Sequence, residues 1–259
     1  MIFCRFCGTK EIQFRKSGKF GCANCVQVFE YPKPNEKRKI PEIQIQTLEK
    51  FIKENLGSFT LISLRTRITR NLKSSLFPFY DPLIDKSKQL LVDTGMDLYQ
   101  YPNEFEKNLG SQEIQEPRMG IYLGSEDHIR WETILPRWEK EGRESAKIPR
   151  GKVSLFRFLF QKKYWATLPE LGFISSCPTN LGKGRRDSIL LGLTPGIVSE
   201  FFSILQTLVK FGIEFAPSTD HRFRNIGKDR VLVVKISWKN IRVVQKRQFY
   251  KILSLLGSY

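Results

Sequence analysis

The sequence predicts an α+β protein in two parts, a small N-terminal Cys4 zinc module and a larger domain built from sheet and helix. Three observations predict it. Four of the five cysteines form two Cys-x-x-Cys pairs near the N-terminus, Tyr31–Pro41 carries three prolines and four basic residues, and apolar helical runs then alternate with β-like runs to residue 259. Residues 1–33 are accordingly assigned to the module, 34–41 to a Pro/Lys-rich linker and 42–259 to a second domain long enough to enclose a full core.

In the module, fourteen residues separate Cys4-Arg-Phe-Cys7 from Cys22-Ala-Asn-Cys25. Two knuckle turns can therefore close on each other and present four thiolates tetrahedrally to one Zn²⁺. Gly8 and Gly21 flank the pairs and suit such turns. A single pair would suit a redox dithiol; two pairs suit a metal held in a reducing compartment. With four protein ligands no position stays open, so the ion is structural, and a segment this short folds with it. A zinc ribbon touching nucleic acid through Arg5, Lys10, Arg15, Lys16 and Lys19 is the alternative use of the same residues.

The formal charge of +17, from 43 Lys+Arg against 26 Asp+Glu, makes polyanions the expected partners: nucleotide phosphates, nucleic acid or an acidic protein. No long apolar run and no hydrophobic leader are present, which predicts a soluble, cytoplasmic protein with no membrane partner.

Beyond the proline-rich tether, Ile43, Ile45, Leu48, Phe51, Ile52 and Leu56 recur at helical spacing, predicting a helix over 42–56 ended by Gly57. Ser58–Arg70 reads as an extended segment whose alternation sends Arg65 and Arg67 to one side. Two same-side arginines repel unless an anion lies between them, and guanidinium forks match phosphate oxygens; a solvated basic edge strand fits the same residues. Residues 81–117 are too weakly periodic to place. Met119–Leu123 is apolar, and a strand over Asp127–Ile134 would put His128 and Arg130 on one face with Glu126 at its mouth. The aromatic run Leu155–Leu168 predicts a helix beneath the loop that follows, and Phe173–Ser175 a strand leading to Cys177. Cys177 stands apart from the cysteine pairs, close to Arg185 and Arg186; a free cysteine is often only a small buried hydrophobe, but guanidinium neighbours favour its thiolate. Asp187–Leu193 and Arg230–Trp238 read as strands, Pro195–Lys210 as an amphipathic helix and Val243–Leu256 as a closing helix.

Several of these stretches resemble one superfamily. ISLRTRITRNLKSSLFPF, GSEDHIRWE and CPTNLGKGRRDS resemble the arginine, carboxylate and cysteine motifs of phosphagen kinases and bacterial protein-arginine kinases, and Cys4–Glu30 is similar to the second zinc module of the activator that accompanies the latter. The resemblance implies a largely antiparallel sheet flanked by helices. It also implies ATP with Mg²⁺ as phosphoryl donor and an arginine-containing protein, or a regulatory partner protein, as the other partner. Carried over by motif, Ser63, Arg65, Arg67, Arg130, Arg186 and Ser188 hold the nucleotide. Glu126 and Asp127 lie at the catalytic carboxylate motif, Glu126 taking the acceptor's proton, and Cys177 orients the guanidinium.

Three departures stand out. Gly124-Ser125 replaces the family's Asn-Glu, Asp187 replaces a small residue and would compete with phosphate for Arg186, and APSTDHRFRNIGKDR shows no loop glutamate, leaving Asp220 and Asp229 as its acids and Arg222 or Arg224 as stand-ins for a fifth phosphate arginine. Three functions are thus compatible with the sequence: an active guanidino phosphotransferase with a fused zinc module, a catalytically degenerate regulator that binds nucleotide, and a basic zinc protein that binds nucleic acid.

Overall fold

The computed structural model describes residues 2–31, 39–73, 77–80, 84–93, 95, 118–124, 126–135, 157–218, 232–238 and 243–254. Most of the tether, Ser125, and the loop holding Asp220, Arg222, Arg224 and Asp229 lie outside them.

A six-stranded, wholly antiparallel sheet organises the second domain, in the order β2 (Arg118–Leu123), β3 (Ile129–Leu135), β1 (Phe59–Arg70), β6 (Arg185–Leu193), β8 (Leu232–Trp238), β7 (Ile213–Pro217). The long central β1 pairs with both β3 and β6. A separate two-residue hairpin joins β4 (Thr167–Leu168) to β5 (Gly172–Phe173).

Strand alternation divides the sheet into two unlike faces. On one, Leu64, Ile189, Leu191, Val234, Ile236 and Trp238 pack against α3 (Glu42–Glu54), α5 (Val198–Leu208) and α6 (Val243–Ser254). The helices reach the sheet through apolar stripes at the spacing seen in the sequence: Ile45, Leu48, Phe51 and Ile52 from α3, Phe201, Leu205 and Leu208 from α5. Phe51, Phe59 and Phe201 stack or meet edge to face at 5.1–6.3 Å. Helix α3 stops earlier than expected. Asn55 caps it, folding its Nδ2 back onto the Phe51 carbonyl at 3.0 Å, so the last helical residue is Glu54, two short of the expected Leu56.

A second core lies under β1, β2 and β3, where Ile68, Met119, Ile129 and Trp131 meet Leu91 of α4 (Ile84–Asp93) and Phe158, Leu159 and Trp165. The expected helix over 155–168 is not one helix: its described part is a helical turn at Arg157–Leu159, a 3-10 turn at Lys162–Tyr164 and strand β4. The break lets Trp165 drop into the core and donate its indole N–H to the Phe158 carbonyl at 3.1 Å.

The N-terminal module has its own small helices, α1 (Glu11–Ser17) and α2 (Cys25–Val28), and packs against the second domain. Phe14, Phe20 and Phe29 stack beside the cysteines in an apolar cluster that also takes in Phe79, Ala166, Ile174 and Leu181.

Candidate active site

The opposite face of the sheet carries the arginines. Arg67 lies directly across from Glu132 on β3 and Arg186 on β6, and Arg65 from Ser188, so register alone forces Arg65, Arg67, Arg130 and Arg186 onto one surface. Their side chains remain 20–30% exposed, open enough for a ligand to reach. At their centre sits Glu132, only 5% exposed, with Oε1 2.8 Å from Arg65 Nε and Oε2 3.4 and 3.7 Å from the Nε atoms of Arg67 and Arg130. Arg130 lies over the Tyr122 ring at 4.3 Å, and burial together with neighbouring Arg67 lowers its pKa. Arg186 donates through Nη2 to Glu214 Oε2 at 2.9 Å and to Ser237 Oγ at 3.0 Å. Beside this cluster a cavity of about 380 Å³ opens between Ser63, Arg65, Ser188, Leu190 and Lys235, walled by Ala216–Ser218 at the end of β7.

Sequence reasoning missed Glu132. Its signal was the period-two spacing from Arg130, which places it on the arginine face of the same strand. Asp187 proves to point elsewhere. It is paired with Thr66 and Trp238 across the sheet, on the face away from the arginine cluster, where its carboxylate accepts from Thr66 Oγ1 at 2.7 Å and from Arg185 Nη2 at 3.0 Å. It therefore does not compete for Arg186.

A buried polar node ties the two loops at the sheet's end. Asp127 Oδ1 accepts from Asn71 Nδ2 at 2.6 Å and from the Ser176 N–H at 2.7 Å, while Ser175 Oγ donates to Oδ2 at 3.0 Å. Asn71 Oδ1 in turn accepts from the His128 N–H at 2.9 Å, and Ser176 Oγ donates to the Glu126 carbonyl at 2.7 Å. Burial pushes the Asp127 carboxyl up against the pull of these donors. Asp127, expected among the catalytic groups, is thus fully enclosed and all these hydrogen bonds are internal. His128, expected to share a face with Arg130, precedes β3 instead. It is buried against Phe79, with Nδ1 accepting from the Leu72 N–H at 3.0 Å. The node brings Glu126 and Cys177, both partly exposed, to the rims of adjoining loops. Cys177 Sγ lies 3.0 Å from Thr179 Oγ1.

Arg70 performs a different task from Arg65 and Arg67. Fully buried, it donates to the carbonyls of Thr69, Leu159 and Lys183 and lies 3.7 Å from the Phe173 ring centroid, with burial lowering its pKa to about 9. It pins the glycine-spaced loop 182–184, where Gly184 adopts a positive φ of 57° against Thr69 and Arg70.

In the module, the four sulfurs lie within 4.8 Å of one another, with Cys4–Cys22, Cys7–Cys25 and Cys22–Cys25 at 3.6, 3.4 and 3.9 Å. A tetrahedron of thiolates about 2.3 Å from a zinc ion requires sulfur separations of about 3.8 Å, so the donor set fits. Hydrogen bonds from Cys22 and Cys25 pull the Cys7 thiol down, while those with Cys22 and Cys7, plus burial, push Cys25 far up. A dication would relieve that conflict. The module touches the site directly: the Phe20 N–H donates to the Ser176 carbonyl at 2.7 Å, and the Phe79 N–H to the Gly21 carbonyl at 2.8 Å.

Residues 62–219 match the family model of the ATP:guanido phosphotransferase C-terminal catalytic domain. The chain belongs to this family. The match spans both the arginine face and the Glu126 and Cys177 loops, and the cysteine module lies outside it. A protein-arginine kinase of Pelotomaculum thermopropionicum is 26% identical over 188 residues, covering 70% of this chain and 45% of its own length. One from Bacillus cereus is 30% identical over 101 residues, covering 38% and 27%. The chain thus spans half or less of the length of these curated relatives. The substrate-free duplicated taurocyamine kinase from Schistosoma mansoni shares the fold, with a TM-score of 0.52 at 15% identity over 92% of this chain and 40% of that one. Among the described residues, no helix is long and apolar enough to cross a membrane.

Proposed function

We propose that this chain is a protein-arginine kinase of the ATP:guanido phosphotransferase type with a structural zinc module built in. The observation that carries the reading is the convergence of Arg65, Arg67, Arg130 and Arg186 on one open sheet face beside a cavity lined by Ser63 and Ser188. In phosphoryl transfer to a guanidino group the protein neutralises phosphate charge, aligns the substrates and takes up one proton. The four guanidinium groups hold the phosphates, and bound Mg²⁺ adds charge neutralisation. Glu126 and the Cys177 thiolate grip the acceptor guanidinium by charge-assisted hydrogen bonds. The acceptor nitrogen attacks the γ-phosphorus, the bond from that phosphorus to the bridging oxygen breaks, ADP leaves with its charge held by the arginines, and the nitrogen's proton passes to Glu126. Asp127 acts at one remove, holding both loops in place.

Cys4, Cys7, Cys22 and Cys25 hold Zn²⁺, which braces the module and performs no chemistry. A second reading, a regulator that binds nucleotide without turnover, is favoured by Glu132, whose carboxylate lies among the arginines that would hold the phosphates. Incubation with Mg·ATP and an arginine-rich protein, followed by mass spectrometry for phosphoarginine, separates the two. The kinase gives a signal that Glu126→Gln and Cys177→Ala abolish; the regulator binds ATP in calorimetry and leaves the protein unmodified.

A further inference from the structure

We propose that Lys235 is a fifth phosphate-binding cation, supplied from the sheet itself at the boundary between the arginine cluster and the cavity. Its position follows from register: Lys235 lies opposite Leu190 on β6 and Ala216 on β7, on the same face as Arg186, Ser188 and Ser237, and it lines the cavity with Ser63 and Arg65. The charged groups facing it are Arg65 and Arg67 from β1, Arg186 from β6, Glu132 from β3 and Glu214 from β7.

Among the described residues Lys235 makes no ion pair, whereas Glu132 is already shared by three arginines and Glu214 by Arg186. An ammonium partly buried beside three guanidinium groups is unfavourable without a further anion. Burial first, then the fields of Arg186, Arg65 and Arg67, bring its pKa down to about 8. A polyphosphate reaching from the cavity to the arginines supplies the missing charge and pulls the proton back onto the amine. The ligand class is therefore a nucleoside di- or triphosphate whose base end occupies the cavity.

This inference rests on the nucleotide-binding reading, and its test keeps the two apart. Titration calorimetry of Mg·ATP and of tripolyphosphate is run at pH 7 and pH 9 on the full chain and on Lys235→Met, Lys235→Arg and Arg65→Ala. Losing one charge-assisted hydrogen bond should weaken ATP binding about tenfold in Lys235→Met at pH 7. Wild-type affinity should fall as pH rises from 7 to 9, because the free amine loses its proton through about 8, while Lys235→Arg, which stays charged, should keep its affinity at both pH values. Arg65→Ala weakens binding at both pH values, and because one of the guanidinium groups that lowers the Lys235 pKa is gone, its decline with pH should move to higher pH. If Lys235→Met binds ATP like wild type, or if Lys235→Arg shows the same decline with pH, the lysine assignment is overturned while nucleotide binding stands. If the wild-type chain binds neither ligand, both readings fall.

Discussion

The backbone N–H of Phe20, in the cysteine module, donates to the carbonyl of Ser176 at 2.7 Å, one residue before Cys177. Ser176 also gives its own N–H to Asp127 and its hydroxyl to the Glu126 carbonyl. One residue thus joins the module, the buried acid and both loops of the candidate acceptor site. Stripping the proposed zinc with a chelator, or Cys22→Ser, should free Phe20 from its packing and loosen the Ser176–Cys177 backbone. Peptide-resolved alkylation should show Cys177 reacting several-fold faster in the metal-free protein. An unchanged Cys177 rate, with zinc release verified, would mean that the module is a passive attachment.

Glu132 holds three arginines together in the absence of ligand. Glu132→Gln should therefore destabilise the free protein by about 3 kcal/mol, the scale for breaking a nearly buried charge pair. Nucleotide affinity should change in the opposite direction, since a resident competitor for the guanidinium groups has been removed. Thermal melts with and without Mg·ATP check both: the variant should melt lower than wild type without ligand and gain more on adding nucleotide. A ligand-induced gain no larger than wild type's would contradict the competition.

Asp127→Ala should leave the Ser176 N–H and the Asn71 amide without their buried acceptor, at about 1–3 kcal/mol for each unsatisfied group. Because Asp127 touches the loops rather than the arginine face, ATP affinity should stay near wild type while the proposed phosphotransfer collapses. Calorimetry beside a phosphoarginine assay reads the split. Equal loss of both would assign Asp127 a direct place at the nucleotide.

Asp187→Ala restores a small side chain at this position. The carboxylate faces away from Arg186 and binds Thr66 and Arg185 instead. The variant should bind ATP as wild type does, yet melt several degrees lower for losing a buried charge pair. A marked rise in affinity would show that Asp187 reaches the phosphates after all.

Much of the fold was legible because it is written in local periodicity. The apolar stripes of α3 and α5, the alternation of β1 and β8 and the paired cysteines each report an element through residues only a few positions apart, and the motif residues Arg65, Arg67, Arg130 and Arg186 were visible for the same reason. Side-chain direction across strands was not legible. Arg186 and Asp187 are neighbours in sequence and face opposite sides of the sheet because the strand begins at Arg185, two residues before the expected start, and only its pairing with β1 decides which side carries the arginines.

By itself the sequence determined that the chain carries a cluster of four paired cysteines, an arginine-rich strand, and a cysteine loop resembling those of guanidino kinases. Tertiary structure alone decided that Glu132 lies among those arginines, that Lys235 joins their face, that Asp127 is sealed beneath the loops, and that the module rests on Ser176. Each of these relationships spans strands or domains far apart in the chain. Pairing register and the burial of charge, rather than local propensity, decide which groups meet.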